Sequence, residues 1–292
     1  MRYNSFLFAI LLFTATAAGL FIPGHHAAAE EIDINARSQY RKIKPPGAWG
    51  TLTMERNTKG SGEVKPVEFP HWAHRTKYTC KVCHTDLGFS INSGGTDIKQ
   101  ADIEAGKYCG ACHDSKTAFG PLECVRCHSK GLDITENTAP EKTLGGLPKD
   151  QFGNQVDWVA AVKNGSIKPA ASLDGKEKMT VLDMDVTIPV TKYPTHPPDV
   201  IFPHKAHTEQ LDCATCHPAI FNQKKGGNPD MNMMKIIAGQ YCGECHTTVA
   251  FPIEDCFRCH SGPIPVAKEL KGVSEDVLKE LREKDRGNSV AP

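Results

Sequence analysis

After residue 29 the sequence has no apolar run long enough to cross a bilayer, which takes about 20 residues. It has no surplus of charge: 34 Lys and Arg stand against 34 Asp and Glu, so there is no electrostatic footprint for nucleic acid. Sustained helical or strand periodicity is missing too, while 25 glycines and 20 prolines punctuate the 292 residues. Finally, no cysteine is spare. All 12 fall in six C-x-x-C-H motifs, which leaves none for a disulfide framework.

The start of the chain is different. "MRYNSFLFAILLFTATAAGLFIPGHHAAAEE" has a basic residue at Arg2, an apolar run from Phe6 to Ile22, and Ala27, Ala28 and Ala29 before Glu30. That order marks 1–29 as a signal peptide cut after Ala29, with a retained N-terminal membrane tether as the alternative. Cleavage would remove His25 and His26. The expected location is periplasmic.

The six motifs are Cys80/Cys83/His84, Cys109/Cys112/His113, Cys124/Cys127/His128, Cys213/Cys216/His217, Cys242/Cys245/His246 and Cys256/Cys259/His260. C-x-x-C-H is the attachment signature of c-type haem: two thiols bond the haem vinyls, and the adjacent histidine binds the iron. Zinc ribbons and redox dithiols also use paired cysteines. Six copies with no cysteine left over argue against both. The expected cofactors are six covalently bound haem c groups.

The chain also repeats itself. "FPHWAHRTKYTCKVCH" (69–84) aligns without gaps to "FPHKAHTEQLDCATCH" (202–217), and "AGKYCGACH" (105–113) to "AGQYCGECH" (238–246). "CVRCH" at 124 and "CFRCH" at 256 follow after the loss of one residue. Three haems in so short a segment leave the polypeptide little interior of its own. The expected fold is therefore haem-cored, with a helical turn at each motif, irregular loops and little sheet.

Of the 13 histidines, seven lie outside the motifs. Two are His25 and His26. Four form the pairs His71/His74 and His204/His207, where i, i+3 spacing in a helical turn puts both rings on one face. With two rigid haems alongside, each ring of a pair can ligate a different iron. The bland reading is surface histidines after a proline, but the pairs recur in register and each unit needs distal ligands. The last, His196 in "YPTHPPDVIFPHKAH", reads as a solvated loop residue rather than a ligand.

This order of histidine pair and three motifs resembles the small three-haem cytochromes of class III, the c-three/c-seven type, over residues 69–128 and 202–260. The resemblance implies a multihaem cytochrome c made of two tandem three-haem modules. It also implies that His71 shares an iron with His84, His74 with His113, His204 with His217, and His207 with His246. The sequence departs from the family at the third haem of each module. The family's ligand histidine, four residues before the second motif, is matched here by Ala105 and Ala238. In the second module Met233 or Met234 is the candidate ligand for the iron of His260, against the alternative that "MNMM" merely packs on porphyrin. The first module has Gln100 and Ala101 at those positions, so the iron of His128 has no local sixth ligand. Met54 is a weaker candidate for it than His196.

The expected organisation is a signal peptide (1–29), an N-terminal arm (30–68), a first module (69–130), a linker (131–200), a second module (201–262) and a tail (263–292). The arm is expected to be irregular and to lie on the first module. In the linker, "DWVAAVKNG" should form one or two helical turns ending at Gly165, with Trp158 packing on a haem unit. "MTVLDMDVTIPV" (179–190) should be a short extended strand, and "SEDVLKELREKD" a surface helix capped by Ser274.

An exported electron carrier, not an enzyme, is the expected function. Irons closed on both faces bind no substrate, and the protein contributes haem spacing and docking surface. Haem propionates would make the near-neutral chain more acidic, which suits redox partners with basic patches, among them a membrane quinol-oxidising complex or a metal-reducing chain. The rival readings are a reductase using the open iron of His128, and a haem-based ligand sensor. Around that iron only Glu123, Arg126 and Lys130 are available to serve chemistry, and no output domain for a sensor is recognisable.

Overall fold

The computed structural model describes residues 46–59, 62, 64–132, 143–190 and 197–263. The segments expected to form a signal peptide and a tail helix, the first part of the arm, His25, His26 and His196 lie outside the described residues.

Each module begins with a two-stranded antiparallel ribbon. β1 (Thr51–Met54) pairs with β2 (Val67–Pro70), setting Thr51 opposite Pro70 and Met54 opposite Val67. The arm is therefore not irregular throughout: its described part supplies a strand to the module. Pro70 ends the ribbon at φ −85°, ψ 99°, and α1 (His71–His74) starts at once. A helix start leaves N–H groups without intrahelical partners. Here the Gly50 carbonyl accepts the His71 N–H at 2.8 Å. The second module repeats the device. β3 (Asp185–Ile188) pairs with β4 (Val200–Pro203), Pro203 sits at φ −85°, ψ 105°, and the Met184 carbonyl accepts the His204 N–H at 2.9 Å.

The leader of each second motif is a short helix, α2 (Gln100–Glu104) or its counterpart Met233–Ile237. Gly106 (φ 80°) and Gly239 (φ 83°) close these helices in the left-handed region, as glycine does at helix ends. Two residues later Tyr108 and Tyr241 also take positive φ, 51° and 54°. Such a conformation costs a non-glycine residue of order 1–3 kcal/mol and persists only where the surroundings over-determine it. Both tyrosine rings pack against a phenylalanine that follows the first motif: Phe89 at 5.3 Å and Phe221 at 5.9 Å between centroids. The motifs themselves are single turns, α-helical at Cys124–Cys127, Cys213–Cys216, Gly243–His246 and Cys256–Cys259, wider at Val82–Asp86 and tighter at Tyr108–Ala111.

The linker is a clamp rather than a spacer. Its helix, Trp158–Lys163, is capped by the Asp157 carboxylate, which accepts from Ala160 N at 2.9 Å, and Gly165 follows at φ 75°. Leu144, Val156 and Trp158 pack with Trp72 and Ala73 of α1, the apolar core of the polypeptide. Ala170 O accepts from Thr79 N of the first module, while Asp150 and Asp183 pair with Arg258 and Lys205 of the second at 2.7 Å each. Among the described residues the sheet is confined to the two ribbons, and no helix is long and apolar enough to cross a membrane.

Candidate functional site

The histidine pairs preceding each first motif lie opposite motif histidines. The ring centroids of His71 and His84 are 6.4 Å apart and the rings nearly parallel, at 2°. His74 and His113 are 6.2 Å apart at 51°, and His207 and His246 are 6.2 Å apart at 58°. That gap is too wide for ring stacking, and it fits one atom bound between the rings. Two iron–nitrogen bonds of about 2 Å, each with about 1.1 Å from nitrogen to centroid, give about 6.2 Å. His204 and His217 are not in such ring contact. His204 Nδ1 lies 3.2 Å from Met184 O, at the exposed edge of the second ribbon.

The other ring nitrogen of each histidine tells the same story. His84 Nδ1 is 3.0 Å from Phe89 O, His113 Nδ1 3.0 Å from Phe119 O, His217 Nδ1 2.7 Å from Phe221 O, and His246 Nδ1 2.8 Å from Phe251 O. For the third motifs the acceptors are upstream: Lys65 O at 2.6 Å from His128 Nδ1, and Pro198 O at 2.8 Å from His260 Nδ1. His74 and His207 use Pro70 O at 2.9 Å and Pro203 O at 2.8 Å. A carbonyl can only accept, so Nδ1 carries the proton and Nε2 presents its lone pair, the arrangement metal-bound imidazoles adopt. His71 is the exception. Its buried Nδ1 makes no well-formed hydrogen bond, although the Gly50 carbonyl, which accepts the backbone N–H of the same residue, lies nearby.

Burial also keeps these rings neutral. It lowers His71 to about 3, with His84 and His74 adding to the effect, and lowers His246 to about 4. His74, His84 and His207 are shifted the same way, again chiefly by burial. Neutral imidazoles are competent ligands; imidazolium is not. The thiols move the other way. Burial pushes Cys83 and Cys245 up to about 12, and Cys109 and Cys242 to about 11. These are not the activated thiolates of a redox dithiol. All 12 cysteines are free of disulfides, and no cluster of three or more His, Cys, Asp or Glu able to hold a metal ion occurs among the described residues. The donor set therefore suits thioether attachment with axial imidazoles, not a zinc ribbon.

Local packing explains the "CG" that begins both second motifs. A Cβ on Gly110 would run into the Ile103 carbonyl, and one on Gly243 into the Ile236 carbonyl. The leader helix thus lies directly on the attachment turn. A second repeated device joins the second motif to the third. Phe119 packs edge-on against His113 at 4.2 Å, and the guanidinium of Arg126, in the third motif, lies over the Phe119 ring at 3.9 Å. Phe251, His246 and Arg258 repeat this at 4.3 and 4.7 Å. Sequence reasoning missed these phenylalanines, although each follows a motif at nearly the same distance in both halves.

Residues 67–129 and 200–261 each match the family described as "Cytochrome c7 and related cytochrome c". The chain belongs to the c7-type cytochromes c. It is a multihaem cytochrome with two tandem modules, short helices and little sheet. A "c7-type three-heme cytochrome domain" is 34% identical, over 98% of that domain and 30% of this chain, with a TM-score of 0.24. The "C-terminal hexaheme fragment of GSU1996" is 28% identical, covering 99% of the fragment and 75% of this chain, TM-score 0.24. This cytochrome spans half of "dodecaheme cytochrome c GSU1996", at 26% identity over 75% of its own length, again with a TM-score of 0.24. Scores of that size carry nothing about how modules are arranged, and membership rests on the sequence matches. No curated protein matches the chain.

The third-motif sites of the cytochrome differ from the others. His260 is buried and His128 half-buried. Met233 and Met234 open their leader helix with exposures of 45% and 54%, after Asn232, whose side chain caps Lys235 N at 3.1 Å. In the first module Gln100 donates to Glu104 at 2.7 Å, and Met54 is tied into β1. Glu123, Arg126 and Lys130 are all in ion pairs. Arg126 reaches Glu123 at 3.1 Å and Lys130 reaches Glu55 at 3.7 Å.

Proposed function

We propose that this multihaem cytochrome is an exported six-haem electron carrier. The observation that carries the reading is the set of opposed imidazoles 6.2–6.4 Å apart, which leaves no open coordination position on the irons between them. The thiols of each motif would hold one haem covalently, and bound haem supplies one-electron chemistry. His84, His113, His217, His246, His128 and His260 are the proximal ligands; His71, His74, His204 and His207 are the distal ones. Export follows from the reading of 1–29 as a cleaved signal peptide or a tether, in keeping with the extracytoplasmic location typical of multihaem c-type cytochromes. The partners are redox proteins with basic docking patches, such as a membrane quinol-oxidising complex.

Against the reductase reading, Arg126 holds the exposed Glu123 carboxyl below its ordinary range, so that group is ionised and has no proton to donate at neutral pH. Carbon monoxide added to the reduced protein should leave the four irons with histidine pairs untouched. Uptake by more than two of the six haems would overturn the carrier reading. Uptake by one, at the iron of His128, would revive the reductase and sensor readings.

Met233 or Met234 is proposed as the sixth ligand for the iron of His260. Joint replacement, Met233→Ala with Met234→Ala, should remove a far-red methionine-to-iron absorption band and lower the potential of one haem. An unchanged spectrum in the double variant rules the thioethers out.

A further inference from the structure

The two modules touch at particular haem-binding turns. Gly50, just before β1, uses both faces of its backbone. Its carbonyl accepts from His71 N at 2.8 Å, and its N–H donates to Thr248 O at 3.0 Å. Thr248 lies two residues after His246. The neighbouring Trp49, 7% exposed, donates from Nε1 to Ala250 O at 2.8 Å. Ala250 N in turn donates to Cys245 O at 3.0 Å, and Phe251 O anchors His246 Nδ1. A run of two residues thus binds a distal histidine of module 1 to the loop that positions a motif histidine of module 2. Nearby, Lys81 N donates to Gln210 O at 3.0 Å, and Thr85 and Thr215 share a hydrogen bond of 3.1 Å. A cleft of about 490 Å³ between residues 90–92 and Thr215, Tyr241 and Glu244 lies along the same seam.

Three cations lie near this junction, and two of them, Lys81 and Arg258, are paired with carboxylates. Arg75 directly follows His74, and its guanidinium lies 4.1 Å from the centre of the Trp158 ring. No carboxylate pairs with it among the described residues. Burial is the main cause of the lowering of His71 and His246; Arg75 adds the smallest contribution to each, at His246 less than Arg258 does. A partly buried cation without a carboxylate fits beside the propionates of a haem bound next to it.

We propose that electrons cross between the modules at this seam, chiefly from the haem site of His71 and His84 to that of His207 and His246, with the site of Cys213 and Cys216, which Thr215 brings to the same seam, as the lesser route. Trp49 and Gly50 form the connecting segment and Arg75 the positioning charge between the two sites. The crossing is not between the third haem of one module and the first of the next, as chain order would suggest. It rests on the electron-carrier reading. The step is one electron: one iron is oxidised from ferrous to ferric, the other is reduced from ferric to ferrous, and no bond or proton is involved.

The test is a redox titration of the full haem-loaded protein, with each haem followed separately by the NMR signals of its methyl groups. Reduction of the haem on Cys80 and Cys83 should shift the midpoint of the haem on Cys242 and Cys245 more than that of any other haem in module 2. A larger shift at the haem of Cys213 and Cys216, or of Cys256 and Cys259, overturns the proposal. Arg75→Gln should lower the midpoints of the two junction haems together, because a lost cation no longer destabilises the ferric state, and leave both third-motif haems unmoved. Arg75→Lys should keep most of the wild-type values. A uniform shift of all six haems, or of one junction haem alone, removes Arg75 from the junction. The wild-type titration decides the route even if Arg75→Gln fails to fold. A protein that takes up haem but cannot be reversibly reduced would instead sink the carrier reading itself.

Discussion

Replacing His207 with alanine should convert one further iron from low to high spin and add one haem to those that bind carbon monoxide in the wild-type protein. His207 stands 6.2 Å from His246 and is held there by its ring Nδ1–H, which donates to Pro203 O at 2.8 Å. Burial keeps its ring neutral, so nothing but the missing ligand changes at neutral pH. Phe202, which packs on the ring at 4.3 Å, has no donor atom to take its place. Optical and EPR spectra of the oxidised variant measure the change. A spectrum unchanged from wild type would mean that the iron of His246 takes its ligand from elsewhere.

Gly243→Ala is expected to have the largest effect on stability of any single methyl addition. The new Cβ would collide with the Ile236 carbonyl, a backbone atom fixed by its leader helix. Overpacking of this kind costs about 1–3 kcal/mol, and here the strain falls between the two cysteines that must reach one haem. Reduced haem content per chain and a lowered thermal midpoint are the expected outcome, with Gly110→Ala behaving alike at the Ile103 carbonyl. Gly146→Ala, where a Cβ meets nothing within 4 Å, is the control and should be tolerated. A Gly243→Ala protein with full haem and an unchanged midpoint would show that the leader helix can yield.

The fold class was legible because its determinants are covalent and local. Six motifs, a repeated histidine pair and the punctuation by glycine and proline carry the cytochrome assignment without any long-range information. Backbone contacts were not legible, since a carbonyl is the same in every residue. Gly50 and Met184 perform one task at the start of each module yet share no side-chain chemistry, so the repeat in sequence begins at Phe69 and Phe202 while the repeat in structure begins with the preceding strand. The linker's contacts with the modules were not legible for a related reason. Its grip on both modules depends on isolated groups such as Asp150, Ala170 and Asp183, spaced without any period. The phenylalanines at 89, 119, 221 and 251 could have been found, because they recur behind the motifs in both halves.

The joint between the modules has a direction. Module 1 contributes Trp49 and Gly50; module 2 contributes the loop of Thr248 and Ala250, a different surface. Contacts of this heterologous type do not close on themselves as two-fold interfaces do, and in principle they can be repeated end to end. In module 2 the N–H that corresponds to Gly50 belongs to Met184, and it is already given to Leu182 O within the same linker. The donor half of the joint is thereby spent at that point. The molecule is polar, with distinguishable ends, even though the two halves of its sequence are copies.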